Sequence, residues 1–310
     1  MIVADTTSRA PSRAVIYPLL GAAVRDLGFL RISGSGIGNS LFPYFRSLIL
    51  AQQSGARLLT PAWPSFRPGL FLRKESNKRL YLGIFRSHPD EISGVRKYLL
   101  LLSAFLRRKF RRLNADGPAP TAPPHGLVLL ESKRFTFNDL HDHRDLIRVR
   151  LMSIMSDPMK EAPRWGNGGF IAVHVRLGDF RAVTSVNELT DATANVRIPL
   201  SWYVQVISAL QAKYPQWPVH IFSDGTDAEL RELTDIGGEV IRSGSDIQDM
   251  LLMSCASLLV GSKSTFSRWA AFLGNMPSIW LKAPLNDDKP SAPEVPAWYL
   301  PLEVGSLDFI

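Results

Sequence analysis

The sequence predicts an α/β protein of two domains, in which parallel strands alternate with helices. From Phe170 to Trp280, short apolar runs alternate with stretches of helical periodicity, a pattern typical of βαβ units. Earlier in the chain, the apolar run Phe29–Ile32 enters a glycine-rich turn and then another helical pattern. Two Rossmann-like halves with a cleft between them account for both observations, and ligands are expected at the carboxyl ends of the strands.

Changes in composition place the domain boundaries. Residues 1–27 open with a polar stretch rich in Ser, Thr and Arg, and we expect a disordered or extended lead-in there. A Pro- and Gly-rich break at Pro163–Gly169 precedes the strongest predicted strand, Phe170–Val175. The expected domains are therefore an N-terminal one over residues 28–162 and a C-terminal one over residues 163–310.

The composition narrows the class of protein and its partners. The single cysteine, Cys255, permits no intrachain disulfide, which fits a cytoplasmic location. No apolar run reaches the roughly 18 residues that a membrane span needs, and the N-terminus lacks the apolar core of a secretory signal. The net charge of +8 favours a polyanionic partner. Because no nucleic-acid-binding module accompanies the Lys and Arg residues, a phosphorylated small molecule or a membrane surface fits better than nucleic acid.

Residues 98–112 have two interpretations. The apolar run Tyr98–Leu106 is followed by a basic cluster, Arg107–Arg112. An apolar helix beside Lys and Arg can lie on an anionic membrane, which predicts peripheral contact with the inner face of the membrane. The same pattern also fits a core helix that ends in a solvated basic turn. The sequence leaves both open.

Three polar residues stand at the end of the strongest predicted strand: His174, Arg176 and Asp179. A cation at the end of a central, apolar strand needs an anionic partner. The guanidinium fork of Arg176 is well suited to a diphosphate, and an ionised Asp179 is a candidate general base. The alternative is a local ion pair in which Asp179 only orients Arg176.

Several short motifs follow one another in a fixed order. They are Gly36–Ser40 (GIGNS), His174–Phe180 (HVRLGDF), Trp202–Tyr203, Phe222–Gly225 (FSDG), Asp249 to the Met253–Cys255 step, and Ser264–Leu273 (STFSRWAAFL). Their order and spacing, from Phe29 to about Leu281, resemble the α-1,2-fucosyltransferases, which form glycosyltransferase family 11. The resemblance implies a GT-B-like fold, an N-terminal acceptor-side domain and a C-terminal nucleotide-sugar-binding domain.

The resemblance also implies a reaction and the residues that perform it. Fucose would pass from GDP-fucose to a galactose-type hydroxyl of a glycan, with inversion, no obligatory metal and no cofactor beyond the donor substrate. Arg176 would contact the donor diphosphate, and His174 would help to seat the nucleotide. Hydroxyls at the start of the last predicted helix would bind phosphate, which suits an anion at a helix N-terminus. The remaining implied donor-binding residues are Gly36, Gly38, Asn39, Ser223, Asp224, Ser264, Thr265 and Phe266.

Four positions depart from the family pattern. Leu177 replaces a second arginine, Gly225 a second aspartate, Arg268 a tryptophan and Ser40 a glutamine. These departures keep two alternatives open: a glycosyltransferase that uses another nucleotide sugar, and an inactive glycan- or nucleotide-binding module with the same fold. Acceptor, linkage and oligomeric state are not determined by the sequence.

Overall fold

The computed structural model describes residues 13–20, 25–32, 36–69, 80–116, 120–156, 164–191, 194–282, 290–292 and 294–303. The chain divides into two compact units, Met1–Phe135 with Val149–Pro158 and Thr136–Arg148 with Met159–Ile310. Residues 136–148, which were expected in the N-terminal domain, thus group with the second unit. None of the described helices is long and apolar enough to cross a membrane.

The first unit contains a parallel sheet with the strand order β4-β1-β7-β6. Helix α1 (Ile37–Ser54) begins within the glycine-rich motif, with Gly36 as its N-cap. Helix α2 (Gly94–Leu106) covers the sheet through Leu101 and neighbouring apolar side chains. The strands are β1 (Arg13–Pro18), β4 (Arg57–Leu58), β6 (Phe110–Asn114) and β7 (His125–Glu131), and a smaller sheet contains β2 (Arg25–Asp26), β3 (Arg31–Ile32) and β5 (Ser65–Phe66).

Strand β1 lies where the lead-in was expected. Its six residues pair with β7 from Arg13↔His125 to Pro18↔Leu130, and Ile16 is fully buried. The apolar run Ala14–Tyr17 is short, and its partner strands are distant in sequence. The prediction for residues 13–18 was therefore wrong, whereas residues 1–12 and 21–24 of the expected lead-in lie outside the described residues.

The second unit contains a six-stranded parallel sheet with the order β10-β9-β8-β11-β12-β13. Numbered from its first strand, this is the 3-2-1-4-5-6 order of the Rossmann fold. The predicted helix Asp227–Leu233 is reduced to the four residues of α6, Arg231–Thr234. The strands are β8 (Ile171–Val175), β9 (Val219–Ser223), β10 (Gly238–Val240), β11 (Leu258–Val260), β12 (Ser278–Leu281) and β13 (Ala297–Leu300). Helix α3 (Arg144–Ile154) begins in the second unit and continues into the first. The other helices of the second unit are α4 (Val186–Thr190), α5 (Leu200–Lys213), α6, α7 (Asp246–Met253) and α8 (Thr265–Gly274).

Strand β8 occupies the position that matters for ligand binding. All five of its residues are buried, as expected for a central strand covered on both faces. The chain proceeds from β8 to one side through β9 and then crosses to β11 on the other side. The carboxyl ends of β8 and β11 therefore form the topological switch point of the sheet, where α/β folds bind ligands. The predicted α/β class with parallel sheets is confirmed; the cleft between the halves stays a prediction.

Candidate functional site

Polar residues lie near the carboxyl ends of three neighbouring strands of the second unit. His174 lies in β8, Ser223 ends β9 and is followed by Asp224, and Ser262 follows β11. Because these strands are parallel neighbours, their carboxyl ends meet at one edge of the sheet. The structure thus brings together motif segments that are far apart in the sequence.

Arg176 lies between two carboxylates. Its Nη2 donates to Asp179 Oδ1, and its Nη1 lies 2.5 Å from Asp224 Oδ2. The guanidinium carbon is 5.5 Å from the centre of the Phe180 ring. The Arg176 side chain remains 19% exposed, and each terminal nitrogen has a second N–H. Arg176 is therefore held in place and still has donors for a ligand.

Asp224 connects the β9 end to the β8 end. Its Oδ1 accepts from the Leu177 backbone N–H at 2.8 Å. Burial opposes ionisation, but the Arg176 charge and the N–H groups of Leu177 and Gly178 outweigh it and lower the pKa of Asp224 below its ordinary value. With both carboxylates ionised, the side chains of Arg176, Asp179 and Asp224 together carry a net charge of −1. A diphosphate at this point consequently needs a further source of positive potential.

His174 is buried and neutral. Burial and the Arg176 charge hold the pKa of His174 well below its usual range. The His174 Nδ1 and the Ser262 hydroxyl form a hydrogen bond of 2.8 Å, and the Phe266 ring centre lies 5.3 Å from the imidazole centre. His174 therefore acts as a hydrogen-bonding group in this site and contributes no charge.

Helix α8 begins beside these residues. Ser264 is its N-cap, and the hydroxyl accepts from the Phe266 backbone N–H at 3.2 Å. Thr265 is the first helical residue and is partly buried. The Ser264 hydroxyl thus has a structural use already. The N-terminal end of this ten-residue helix supplies the positive potential that the Arg176 cluster lacks.

Three supporting residues were not predicted. Arg197 Nε donates to the backbone carbonyls of Leu177 and Phe180 at 2.9 and 2.8 Å, which fixes the loop that carries Asp179. Lys263 Nζ donates to carbonyls of the α4 region, at residues 188, 189 and 191. Ser262 could have been found as a polar residue directly after a parallel strand, whereas no local pattern marks Arg197.

Two departures from the family pattern touch each other. Leu177 is buried at 4% exposure, and a Cβ added at Gly225 would overlap with Leu177 Cδ1. The substitutions of an arginine by Leu177 and of an aspartate by Gly225 together remove one charge of each sign. Leu177 and Gly225 thus lie against each other beside the Asp224 turn.

The other two departures lie elsewhere. The Arg268 guanidinium carbon is 5.9 Å from the centre of the Phe137 ring. Ser40 belongs to the first unit, is fully buried, and accepts from Arg31 Nη1 at 3.2 Å while donating to the Gly36 carbonyl at 3.1 Å. Ser40 therefore supports the core at the start of α1.

Gly36, Gly38 and Asn39 all lie at the start of α1 in the first unit. Gly36 has a φ of −64°, and a Cβ added there would meet no atom within 4 Å. Neither backbone strain nor packing within the described chain requires glycine at position 36. The Ile37 N–H donates to the Tyr81 hydroxyl at 3.1 Å.

The first unit also contains a pocket of about 210 Å³. Lys97 lies in its wall, donates to the Gly28 carbonyl, and has a pKa lowered to about 8 by burial. Among the residues that the structure describes, no three His, Cys, Asp or Glu side chains are grouped as a metal site would require. Metal independence stays a prediction.

No curated protein matches the chain. The solved structures similar to it include POFUT1 in complex with GDP, with 10% identity, coverage of 94% of this chain and 99% of that chain, and a TM-score of 0.45. The NodZ alpha-1,6-fucosyltransferase soaked with GDP-fucose has 13% identity, coverage of 89% of this chain and 97% of that chain, and a TM-score of 0.42. A glycosyl transferase family 9 protein from Veillonella parvula DSM 2008 has 10% identity, coverage of 97% of this chain and 90% of that chain, and a TM-score of 0.41. With TM-scores below 0.5, these likenesses support no conclusion about this chain.

The family comparison is more specific. The family model described as Glycosyl transferase family 11 matches residues 122–301, which is more than half of the 310 residues. The matched segment contains the whole Arg176 cluster, the Asp224 turn and helix α8. The chain therefore belongs to glycosyl transferase family 11 and is a glycosyltransferase.

Proposed function

We propose that this enzyme transfers fucose from GDP-fucose to a galactose-type hydroxyl of a glycan, with inversion at the anomeric carbon and without a bound metal. Family membership and the motif order from Gly36 to Leu273 support this donor. The observation that carries the proposal is the position of Arg176. It stands at the switch point of a Rossmann-type sheet, keeps N–H donors for a ligand, and lies on the same strand end as the neutral His174.

In the proposed reaction, the bond between the anomeric carbon and the β-phosphate oxygen breaks as the acceptor oxygen attacks from the opposite face. GDP leaves with the electron pair, and the acceptor hydroxyl loses its proton. Arg176 and the N-terminal end of α8 stabilise the charge on the departing diphosphate.

Asp179 has two candidate roles, general base or positioning residue. Its carboxylate accepts from Arg176, which favours positioning. Asp179→Asn separates the two roles. Loss of the base should lower kcat by about 100-fold or more with GDP affinity unchanged, whereas loss of a positioning contact should change GDP affinity and kcat together.

The test of the donor is a panel of nucleotides and nucleotide sugars. GDP at about 100 times its Kd should stabilise the protein by about 2.7 kcal/mol in thermal unfolding, and UDP and ADP should do so far less. GDP-fucose should support transfer to galactose-terminated glycans. Arg176→Ala should lower kcat/KM by at least about 100-fold. Arg231→Ala, at an exposed position of helix α6 in the same unit, is the matched control.

Three results would contradict the proposal. Turnover of a UDP-sugar in preference to GDP-fucose would assign another nucleotide sugar as donor. Binding of glycan or nucleotide without turnover of any donor would identify an inactive binding module. Full activity of Arg176→Ala would remove the assigned diphosphate contact. Contact with a membrane is a separate proposal and rests on helix α2.

A further inference from the structure

Helix α2 (Gly94–Leu106) is apolar on two opposite faces. Its inner face packs Leu100, Leu101 and Ala104 against the core of the first unit. A helix packed on one side only is expected to show polar residues on the other. On α2 the opposite face is also apolar, and it remains exposed in the part of the chain that the structure describes.

The outer face is a continuous stripe. Six of the eleven large apolar side chains that are exposed among the described residues lie on this one helix. Each of them lies three or four residues from another member of the set, so they occupy one side of the helix. They are Val95 (75% exposed), Tyr98 (41%), Leu99 (61%), Leu102 (57%), Phe105 (48%) and Leu106 (76%).

The stripe extends onto a neighbouring loop. Phe29 is 58% exposed, and its ring packs edge-to-face against Tyr98 with 6.5 Å between the ring centres. Leu27, two residues earlier, is 51% exposed. Isolated exposed apolar side chains are ordinary, but a contiguous patch of this kind marks an interaction surface.

The exposed charges on helix α2 and in the segment directly after it are all positive. No acidic residue occurs between Glu91 and Asp116, and the six exposed cations in that interval are Arg96, Arg107, Arg108, Lys109, Arg111 and Arg112. Arg112 pairs with Glu131 at 3.2 Å. Five of them follow the C-terminal end of α2, so the apolar stripe ends in a basic rim.

We propose that the outer face of α2 binds the surface of a membrane that contains anionic phospholipids. The apolar stripe enters the boundary between headgroups and acyl chains, and the basic rim contacts lipid phosphates. An anionic membrane complements the charge of the basic rim, whereas a second copy of the chain would bring the same cations together. Membrane binding goes beyond the proposed transfer reaction, and it does not depend on which nucleotide sugar is the donor.

Vesicle flotation tests the proposal directly. The full chain should bind vesicles of phosphatidylcholine with phosphatidylglycerol and should bind pure phosphatidylcholine much less. Replacement of the rim by Arg107→Gln, Arg108→Gln and Lys109→Gln should weaken binding by about fivefold for each cation removed. Leu99→Gln, Leu102→Gln and Leu106→Gln together should weaken it by at least about tenfold. Raising the salt to about 1 M, where the Debye length is about 3 Å, should also weaken it.

Matched controls come from other surfaces. Val149→Gln removes an apolar side chain that is 70% exposed, and Arg231→Gln removes an exposed cation; neither should change vesicle binding. Thermal unfolding of each variant checks the fold, since the replaced α2 side chains are exposed. Equal binding to both vesicle types, or full binding by both α2 variants, would overturn the proposal. So would a dimer in light scattering that the leucine variant converts to a monomer, with no vesicle binding by either protein.

Discussion

Arg31 in the first unit and Arg176 in the second are both arginines at predicted strand ends, and the structure uses them differently. Arg31 is fully buried. Its Nη1 donates to the Leu20 carbonyl at 2.5 Å, and its Nη2 donates to the Trp63 carbonyl at 3.2 Å. Burial and the nearby Arg67 charge lower the pKa of Arg31 to about 10. Arg31 connects loops of the first unit and is closed to any ligand.

Arg176 has carboxylates where Arg31 has backbone carbonyls. Asp179 and Asp224 orient it from two sides while its side chain stays partly exposed. The two arginines differ in solvent access and in the chemistry of their acceptors, not in residue type or position at a strand end. A pattern of apolar residues followed by Arg is the same in both cases.

The largest expected effect separates the two arginines by stability. Arg31→Met should lower the free energy of unfolding by about 3 kcal/mol, because it leaves buried carbonyls without donors. Arg176→Met should lower it by about 1 kcal/mol or less, because its partners reach solvent. Urea denaturation measures both. Equal losses would mean that Arg176 is as structural as Arg31.

The Leu177–Gly225 contact is the next test. Gly225→Ala should cost about 2 kcal/mol of stability, because its Cβ overlaps with the buried Leu177 side chain. In a Leu177→Ala background the same change should cost at least about 1 kcal/mol less. A double-mutant cycle in urea measures the coupling. Additive losses would show that the two departures from the family pattern are independent.

His174 makes stability depend on pH. Its pKa is lowered in the folded protein, so the unfolded chain binds the proton first and stability falls as the pH drops below about 6.5. The slope attributable to His174 approaches about 1.4 kcal/mol per pH unit. His174→Gln should flatten the profile between about pH 6.5 and 4, and the exposed His125→Gln is the control for loss of a histidine. An unchanged slope would contradict the buried, neutral state.

The smallest expected effect on stability is at Ser264, where the question is again whether the side chain stabilises the fold or binds the ligand. Ser264→Ala should cost about 1 kcal/mol of stability through loss of the helix cap. Ser245, which caps α7 by accepting from the Gln248 N–H at 3.3 Å, is the matched control. If both variants lose stability and neither loses GDP affinity, Ser264 is a cap alone. A loss of affinity confined to Ser264→Ala would assign its hydroxyl to the donor phosphates.

Much of the second unit could be predicted because its strands are short apolar runs bounded by turn residues. The predicted strands at Phe170–Val175, Val219–Phe222 and Ser257–Val260 all lie within a residue or two of the observed ones. Strand β1 was missed, since its four apolar residues gain their meaning only from pairing with β7. The partners of His174 and Arg176 were missed or left open for the same reason, because Ser262 and Asp224 come from other strands.

The sequence by itself determined the α/β class, the motif order and the segment at which the chemistry is proposed. Periodicity and turn residues are properties of consecutive residues, so they can be read without a fold. The tertiary structure decided that Arg176 is held by two carboxylates, that Leu177 lies against Gly225, and that α2 exposes a second apolar face. Each of these depends on strand order and packing between distant segments, which no local pattern contains.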